Sequence, residues 1–285
     1  MKLGILGTEN SHAMCFAELI KNDSDFADVE LVGIYGYSEK ANAAIMATGI
    51  CGGVAKTPDE LLGKVDAIAV TARHGDHHYE YAMPYVRAGV PAFIDKPFAV
   101  DLAKTRELAE TAEKYGALLC GGSCLKHVRQ WKELRAYAEA NGVASGAVCA
   151  PISMVNDYGG FYFYSQHLIE MLFPIFGTDV KAVQAYCPDP EKNRLTVVFD
   201  YGDYDVCGQY TSSYCYSAAV RSPKGVLSLE AGDITYAFKD ELMELVTMVK
   251  TGQMPQSYHR LVQPVILLHA IEDSFRSGRV QNVIL

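Results

Sequence analysis

An alternation in the first 120 residues constrains this chain most: five short apolar runs, separated by longer stretches at helical spacing. The runs are Lys2–Leu6, Val29–Ile34, Val65–Val70, Ala92–Ile94 and Ala117–Cys120. Val65–Val70 is nearly unbroken, as a strand buried on both faces requires. Helices are expected over Ala13–Ile20, Ser38–Thr48, Thr57–Leu62, His77–Ala88 and Asp101–Tyr115. Gly89 and Gly116 close the last two. Strands separated by such helices imply βαβ units, right-handed crossovers and a parallel sheet.

After Gly121-Gly122 the pattern changes. One helix is expected over Val128–Ala140 and another over Ser165–Phe176. Strand-like stretches occupy Gly146–Val155, Val180–Tyr186, Leu195–Tyr201, Val206–Val220 and Gly225–Leu229, an antiparallel pattern. A last helix, Val262–Ser277, precedes a short strand, Val280–Leu285. With 285 residues, two domains are expected, 1–120 and 121–285. Tyr210, Ser212, Tyr214 and Tyr216 would share one face of the Val206–Val220 strand. Neither face of it is strongly apolar, so a second subunit is expected to cover the sheet.

The net charge of −9 opposes a nucleic-acid or anionic-membrane footprint, which needs a basic face. No apolar run approaches the length of a membrane span, and the polar Gly7–His12 segment follows too soon for a signal peptide. The eight cysteines form no C-x-x-C pair and read as free thiols of a cytoplasmic protein.

The first strand runs into Gly7-Thr8-Glu9-Asn10-Ser11-His12, where a dinucleotide-binding G-x-G-x-x-G would lie. Glu9 replaces the second glycine and His12 the third. A carboxylate about 4–5 Å from a phosphate costs roughly 3–4 kcal/mol. Glu9 must therefore point away if a dinucleotide binds, and the expectation is that it turns outward. The plainer reading is that Glu9 and Ser11 cap the helix. The second strand ends in Tyr35-Gly36-Tyr37-Ser38 without the acid that holds the ribose of NAD. That leaves room for a 2′-phosphate, so NADP is expected to bind at least as well as NAD. In Thr71-Ala72-Arg73-His74-Gly75-Asp76-His77-His78 a metal site is weighed against helix capping by Asp76, and capping is preferred. Lys96 in Asp95-Lys96-Pro97 follows a buried strand, where it can donate to a substrate hydroxyl or to the nicotinamide ribose.

From Gly4-Ile5-Leu6-Gly7 to Ser277-Gly278-Arg279-Val280 the chain resembles the Gfo/Idh/MocA oxidoreductases. Ile94-Asp95-Lys96-Pro97-Phe98-Ala99 is similar to that family's E-K-P signature, with Asp replacing Glu. Cys120-Gly121-Gly122 leading to Lys126, and Gly159-Gly160 leading to His167-Leu168-Ile169-Glu170, also match. The resemblance implies a Rossmann domain, then an α+β domain with a large, mostly antiparallel open sheet used for dimer or tetramer contacts. It implies an NAD(P)-dependent oxidoreductase acting on a sugar, polyol or similar hydroxyl-bearing molecule, with Lys96 and His167 around the transferred hydride. The cofactor residues implied are Gly7, Thr8, Asn10, Ser11, His12, Tyr37, Ser38, Thr71, Arg73, His77, Asp95 and Lys96. Lys126, Tyr158, Tyr162 and Gln166 would line the substrate, with Tyr164 or Tyr162 as an alternative to His167 for carrying the proton. No metal is implied. The sequence departs from the family at Glu9, His12, Gly36 and Phe163, the last standing where an Asp is usual. These departures keep a second reading open: a non-enzymatic binding or regulatory protein with a degenerate dinucleotide site.

Overall fold

The computed structural model describes residues 1–284 and divides into two compact units. The first comprises Met1–Gly122 together with Phe238–Val262. The second comprises Ser123–Ala237 and Gln263–Leu285.

In the first unit, β1 (Lys2–Leu6), β2 (Glu30–Tyr35), β3 (Ala67–Val70), β4 (Ala92–Asp95) and β5 (Leu119–Gly122) form a parallel sheet of order β2-β1-β3-β4-β5. Every residue of β3, β4 and β5 is buried. The crossovers are α1 (Ser11–Asn22), α2 (Glu39–Met46), α3 (Gly75–Arg87) and α4 (Leu102–Tyr115). Asp101 starts α4 by accepting from the Lys104 N–H (2.9 Å). Thr57–Leu62 is a run of turns and not the expected helix. Six residues are too few to nucleate one alone, and the Pro58 carbonyl is taken by Tyr85 Oη (2.8 Å).

The second unit holds α5 (Arg129–Asn141), α6 (Tyr162–Phe176) and seven strands. The strands are β6 (Ser145–Pro151), β7 (Ala182–Asp189), β8 (Arg194–Asp200), β9 (Asp205–Thr211), β10 (Ser217–Ser222), β11 (Gly225–Glu230) and β12 (Gln281–Asn282). Their order is β11-β10-β6-β9-β8-β7-β12, antiparallel except for β6 against β9. The expected strand Val206–Val220 is thus two strands on opposite sides of β6. Thr211 and Ser213 break it, because the Thr211 hydroxyl accepts from the Ser213 N–H (3.1 Å) and offers the backbone a turn. Its tyrosines do not share a face: Tyr210 and Tyr216 are buried, while Tyr214 lies exposed on the connection. One face of the sheet buries Val148, Val183, Val197, Phe199, Val206 and Val220. The alternate positions Gln184, Tyr186, Thr196, Val198 and Gln209 are exposed.

Two further helices follow, α7 (Thr235–Thr251) and α8 (Tyr258–Ser277). The sequence reading missed α7. Its Leu242, Leu245, Val246 and Met248 join Leu3, Ile5, Phe16 and Phe93 in the core of the first unit. Most of α8 belongs to the second unit, where Ser274 Oγ accepts from the Ala185 N–H (2.8 Å). The expected terminal strand shortens to β12, and Leu285 lies outside the described residues. Among the described residues no helix is long and apolar enough to cross a membrane. All eight cysteines are free thiols.

Candidate functional site

In the first unit the candidate residues lie where β1 to β4 end. Gly7 takes a φ of +100°, and a Cβ there would strike the Ala72 backbone, so only glycine fits. Its N–H donates to the Tyr35 carbonyl (2.7 Å), and its carbonyl accepts from Thr71 Oγ1 (2.9 Å). Thr8 Oγ1 donates to Asn42 Oδ1 (2.5 Å), and Asn42 Nδ2 donates to the Gly36 carbonyl (2.8 Å). A side chain at Gly36 would collide with Thr8, which is a steric reason for the missing acid after β2. The hydroxyls of Thr8 and Thr71 thus serve the turn itself. Ser38 Oγ caps α2, accepting from the Ala41 N–H (3.2 Å).

Asn10 precedes α1 without capping it; its Nδ2 donates to Asp95 Oδ2 (2.9 Å). Ser11 Oγ lies 3.4 Å from Asn10 Oδ1. The first turn of α1 carries no acidic residue. Its leading N–H groups are therefore uncapped by side chains, and the expectation of capping by Glu9 and Ser11 is corrected. Such a helix start favours an anion. His12 turns inward, with Nδ1 3.0 Å from Asp95 Oδ2 and Nε2 3.5 Å from Glu241 Oε2 on α7. Phe16 and Phe238 pack edge-on to its ring.

Glu9 is half-buried and does not turn out to solvent. Its Oε1 accepts from the Arg73 N–H (3.3 Å), whereas its Oε2 is buried without a partner. Burial pushes its pKa up, and hydrogen bonds from the Glu9 and Arg73 backbone, with the charges of His77 and Arg73, offset only part of that. The Arg73 side chain is exposed. His77 stacks on Tyr81 (5.3 Å between ring centres) and pairs with Glu80, while the exposed Tyr37 ring lies 6.2 Å away. The cap of α3 is His74, whose Nδ1 accepts from the Asp76 N–H (3.2 Å); Asp76 does not play the expected part. His78 is buried, its Nδ1 2.6 Å from the Pro97 carbonyl and its Nε2 2.8 Å from the Ala72 carbonyl. These three histidines bond separate partners and do not converge on a point.

Asp95 and Lys96 end β4 and are both buried. Asp95 Oδ1 accepts from the Lys96 N–H (2.7 Å), and the Lys96–Pro97 peptide is cis. Burial alone would raise the Asp95 pKa. The charge and hydrogen bond of His12, with Lys96 adding to them, outweigh it and hold the carboxyl far below the usual range.

In the second unit, α6 places His167 in a buried position with Nδ1 2.6 Å from Ser123 Oγ. Tyr164 and Tyr216 both lie edge-on to His167, with ring centres 5.1 Å and 6.0 Å away. Tyr158 and Phe163 continue the aromatic run, with ring centres 5.2 Å apart. Two expected substrate residues are otherwise engaged. Tyr162 Oη donates to Glu272 Oε2 (2.5 Å), and burial and that carboxylate raise its pKa. Gln166 Nε2 donates to Glu170 Oε1 (2.9 Å). Lys126 lies half-buried in the turn Cys124–His127. Sequence reasoning missed Ser123, Asn42 and Glu241; only the position of Ser123 just after the Gly121-Gly122 match hinted at a role.

Residues 1–123 match the family described as an oxidoreductase family with an NAD-binding Rossmann fold. Over those residues the chain is similar to the Gfo/Idh/MocA Rossmann domain. Its whole fold is also that of solved dehydrogenases. A probable dehydrogenase from Thermotoga maritima superposes with a TM-score of 0.86 at 20% identity, covering 100% of both chains. GenD2 from gentamicin A biosynthesis, in complex with NAD, gives 0.86 at 18%, covering 100% of this chain and 97% of its own. Scyllo-inositol dehydrogenase from Lactobacillus casei, with bound NAD(H) and scyllo-inositol, gives 0.82 at 14%, covering 99% of each. At these identities the likeness establishes the fold. Comparison with curated proteins yields no match.

Proposed function

We propose that the chain is an NAD(P)-dependent oxidoreductase that interconverts a hydroxyl and a carbonyl on a small polyol or sugar. The observation that carries this reading is the buried Asp95-Lys96 pair at the end of β4, in a domain that matches NAD-binding oxidoreductases. The uncapped start of α1 and the tight Gly7 turn suit a dinucleotide pyrophosphate. A bound nicotinamide would supply the hydride acceptor or donor. Lys96 would hold its ammonium against the reacting oxygen and favour negative charge there. His167 would exchange the hydroxyl proton at a ring nitrogen. The aromatic faces of Tyr158, Tyr164 and Tyr216 would carry the C–H face of the substrate. With Gly36 bare and the Arg73 side chain exposed, NADP(H) is proposed to bind at least as well as NAD(H).

The non-enzymatic reading is favoured by one observation, the half-buried Glu9 carboxylate at the second glycine position. Calorimetric titration with NAD(H) and NADP(H) separates the two, because the binding-protein reading expects neither to bind. A tenfold preference for NAD(H), about 1.4 kcal/mol, would refute the coenzyme proposal alone. Turnover of a polyol panel then tests the enzyme. Lys96→Met should remove most activity, lowering turnover far more than it weakens dinucleotide binding. Undiminished turnover in that variant overturns the role of Lys96.

A further inference from the structure

The Asp95 carboxylate is fully buried at the end of β4, and its two oxygens have different duties. Oδ1 accepts from the Lys96 N–H (2.7 Å). Oδ2 lies 2.9 Å from Asn10 Nδ2 and 3.0 Å from His12 Nδ1. An ionised carboxylate only accepts, so Asn10 and His12 both donate to it. Hydrogen bonds to a charged acceptor are roughly twice as strong as neutral ones. The carboxylate is planar and rigid, so whatever holds Oδ2 also sets the place of Oδ1. The phosphate turn is thereby tied to the backbone of the buried Lys96. Two differences from the family signatures, aspartate for glutamate at 95 and histidine for glycine at 12, meet in one of these bonds.

We propose that Asn10 and His12 are positioning residues for Lys96: by donating to Asp95 Oδ2 they fix the carboxylate whose other oxygen holds the Lys96 backbone. The turn thus acts on the lysine without touching it. Asn10, at the start of α1, then governs turnover more than coenzyme affinity. A misplacement of about 1 Å at a reacting group can cost roughly 100-fold in rate. The bearing on turnover rests on the oxidoreductase reading above, whereas the link to Lys96 does not.

The test is the Lys96 amide signal in proton–nitrogen NMR of the 15N-lysine-labelled full chain without ligand, assigned by its loss in Lys96→Arg. A short bond to a carboxylate should place that proton downfield. Asn10→Ala and His12→Ala should each move it upfield. His12→Asn keeps a donor where Nδ1 stands and should leave the signal in place. An unmoved signal in the alanine variants, or equal shifts in His12→Ala and His12→Asn, overturns the proposal. If His12→Ala does not fold, Asn10→Ala, at a half-buried position, decides alone. With a substrate from the polyol panel, Asn10→Ala should lower kcat by about tenfold to 100-fold and leave the coenzyme KM near its wild-type value. A raised KM with unchanged kcat makes Asn10 a coenzyme contact and overturns its positioning role. Failure to bind any dinucleotide would sink the enzyme reading, and the Lys96 signal would still decide this proposal.

Discussion

His12 Nδ1 lies 3.0 Å from Asp95 Oδ2, so the residue in the third glycine position of the phosphate turn is bonded to the acid before Lys96. Both side chains are buried. A glycine there serves close helix–sheet packing; this chain instead spends the position on a buried polar link between α1 and β4. Glu241, fully buried on α7, brings a second carboxylate to the other edge of the ring.

Restoring the fingerprint with His12→Gly should therefore weaken the fold. The change removes the ring between two buried carboxylates and also costs helix propensity. Leaving a buried hydrogen-bonding partner unsatisfied costs about 1–3 kcal/mol, and glycine in a helix roughly 1 kcal/mol more. Urea denaturation monitored by circular dichroism should show a loss in that range. A loss under about 1 kcal/mol would mean that the pair contributes little.

Dinucleotide affinity should depend on pH through Glu9. Burial raises its pKa, so the carboxyl stays neutral to a higher pH than usual. While neutral it does not repel a phosphate, and once ionised it does. Affinity should thus fall as pH rises through that pKa, with Glu9→Gln removing the trend. Calorimetry at several pH values checks this, and a wild type with a flat profile counts against any approach of Glu9 to the phosphates.

Acid should destabilise the second unit through His127. Burial, then the charges of Lys126 and Lys132, push its pKa down to about 3. The unfolded chain takes up the same proton near pH 6.5. Between those values the unfolded state binds more protons, so stability falls as pH falls. The slope from this one group approaches 1.4 kcal/mol per pH unit. His127→Gln should flatten the acid limb of a stability–pH curve, and an unchanged limb would remove His127 from the account.

Self-association should run through the outward rows of the second sheet rather than through the tyrosines first expected to form the contact. Tyr210 is spent on the Ser165 carbonyl (2.8 Å), whereas Tyr186 and Val198 are exposed on β7 and β8. Light scattering is expected to give twice or four times 31.2 kDa. The double change Tyr186→Asp with Val198→Asp should lower that mass. A wild-type monomer at micromolar concentration would refute the proposal.

What was legible in the sequence follows from range. Ala67–Val70 is unmistakable because burial on both faces leaves no polar position. The break inside Val206–Val220 was hidden because Thr211 and Ser213 suit a strand as well as a turn. Helix α7 carried the right spacing at Leu242, Leu245, Val246 and Val249, but its docking on the first unit depends on residues far away in the chain. The same holds for Ser123 and His167, which are 44 positions apart. The places of Gly7 and Lys96 just after β1 and β4 were legible because the apolar runs before them mark those strands.

Helix α7 also sets the timing of the fold. The matched segment, residues 1–123, does not hold the whole of its core, which is completed by Leu242, Leu245, Val246 and Met248. During translation the parallel sheet must wait for more than a hundred further residues to leave the ribosome before that apolar surface is sealed. Domains normally mature in order from the N-terminus; here the first sheet and the second must finish almost together. A fragment cut at residue 123 would keep the phosphate turn yet leave Leu3, Ile5, Phe16 and Phe93 without part of their cover.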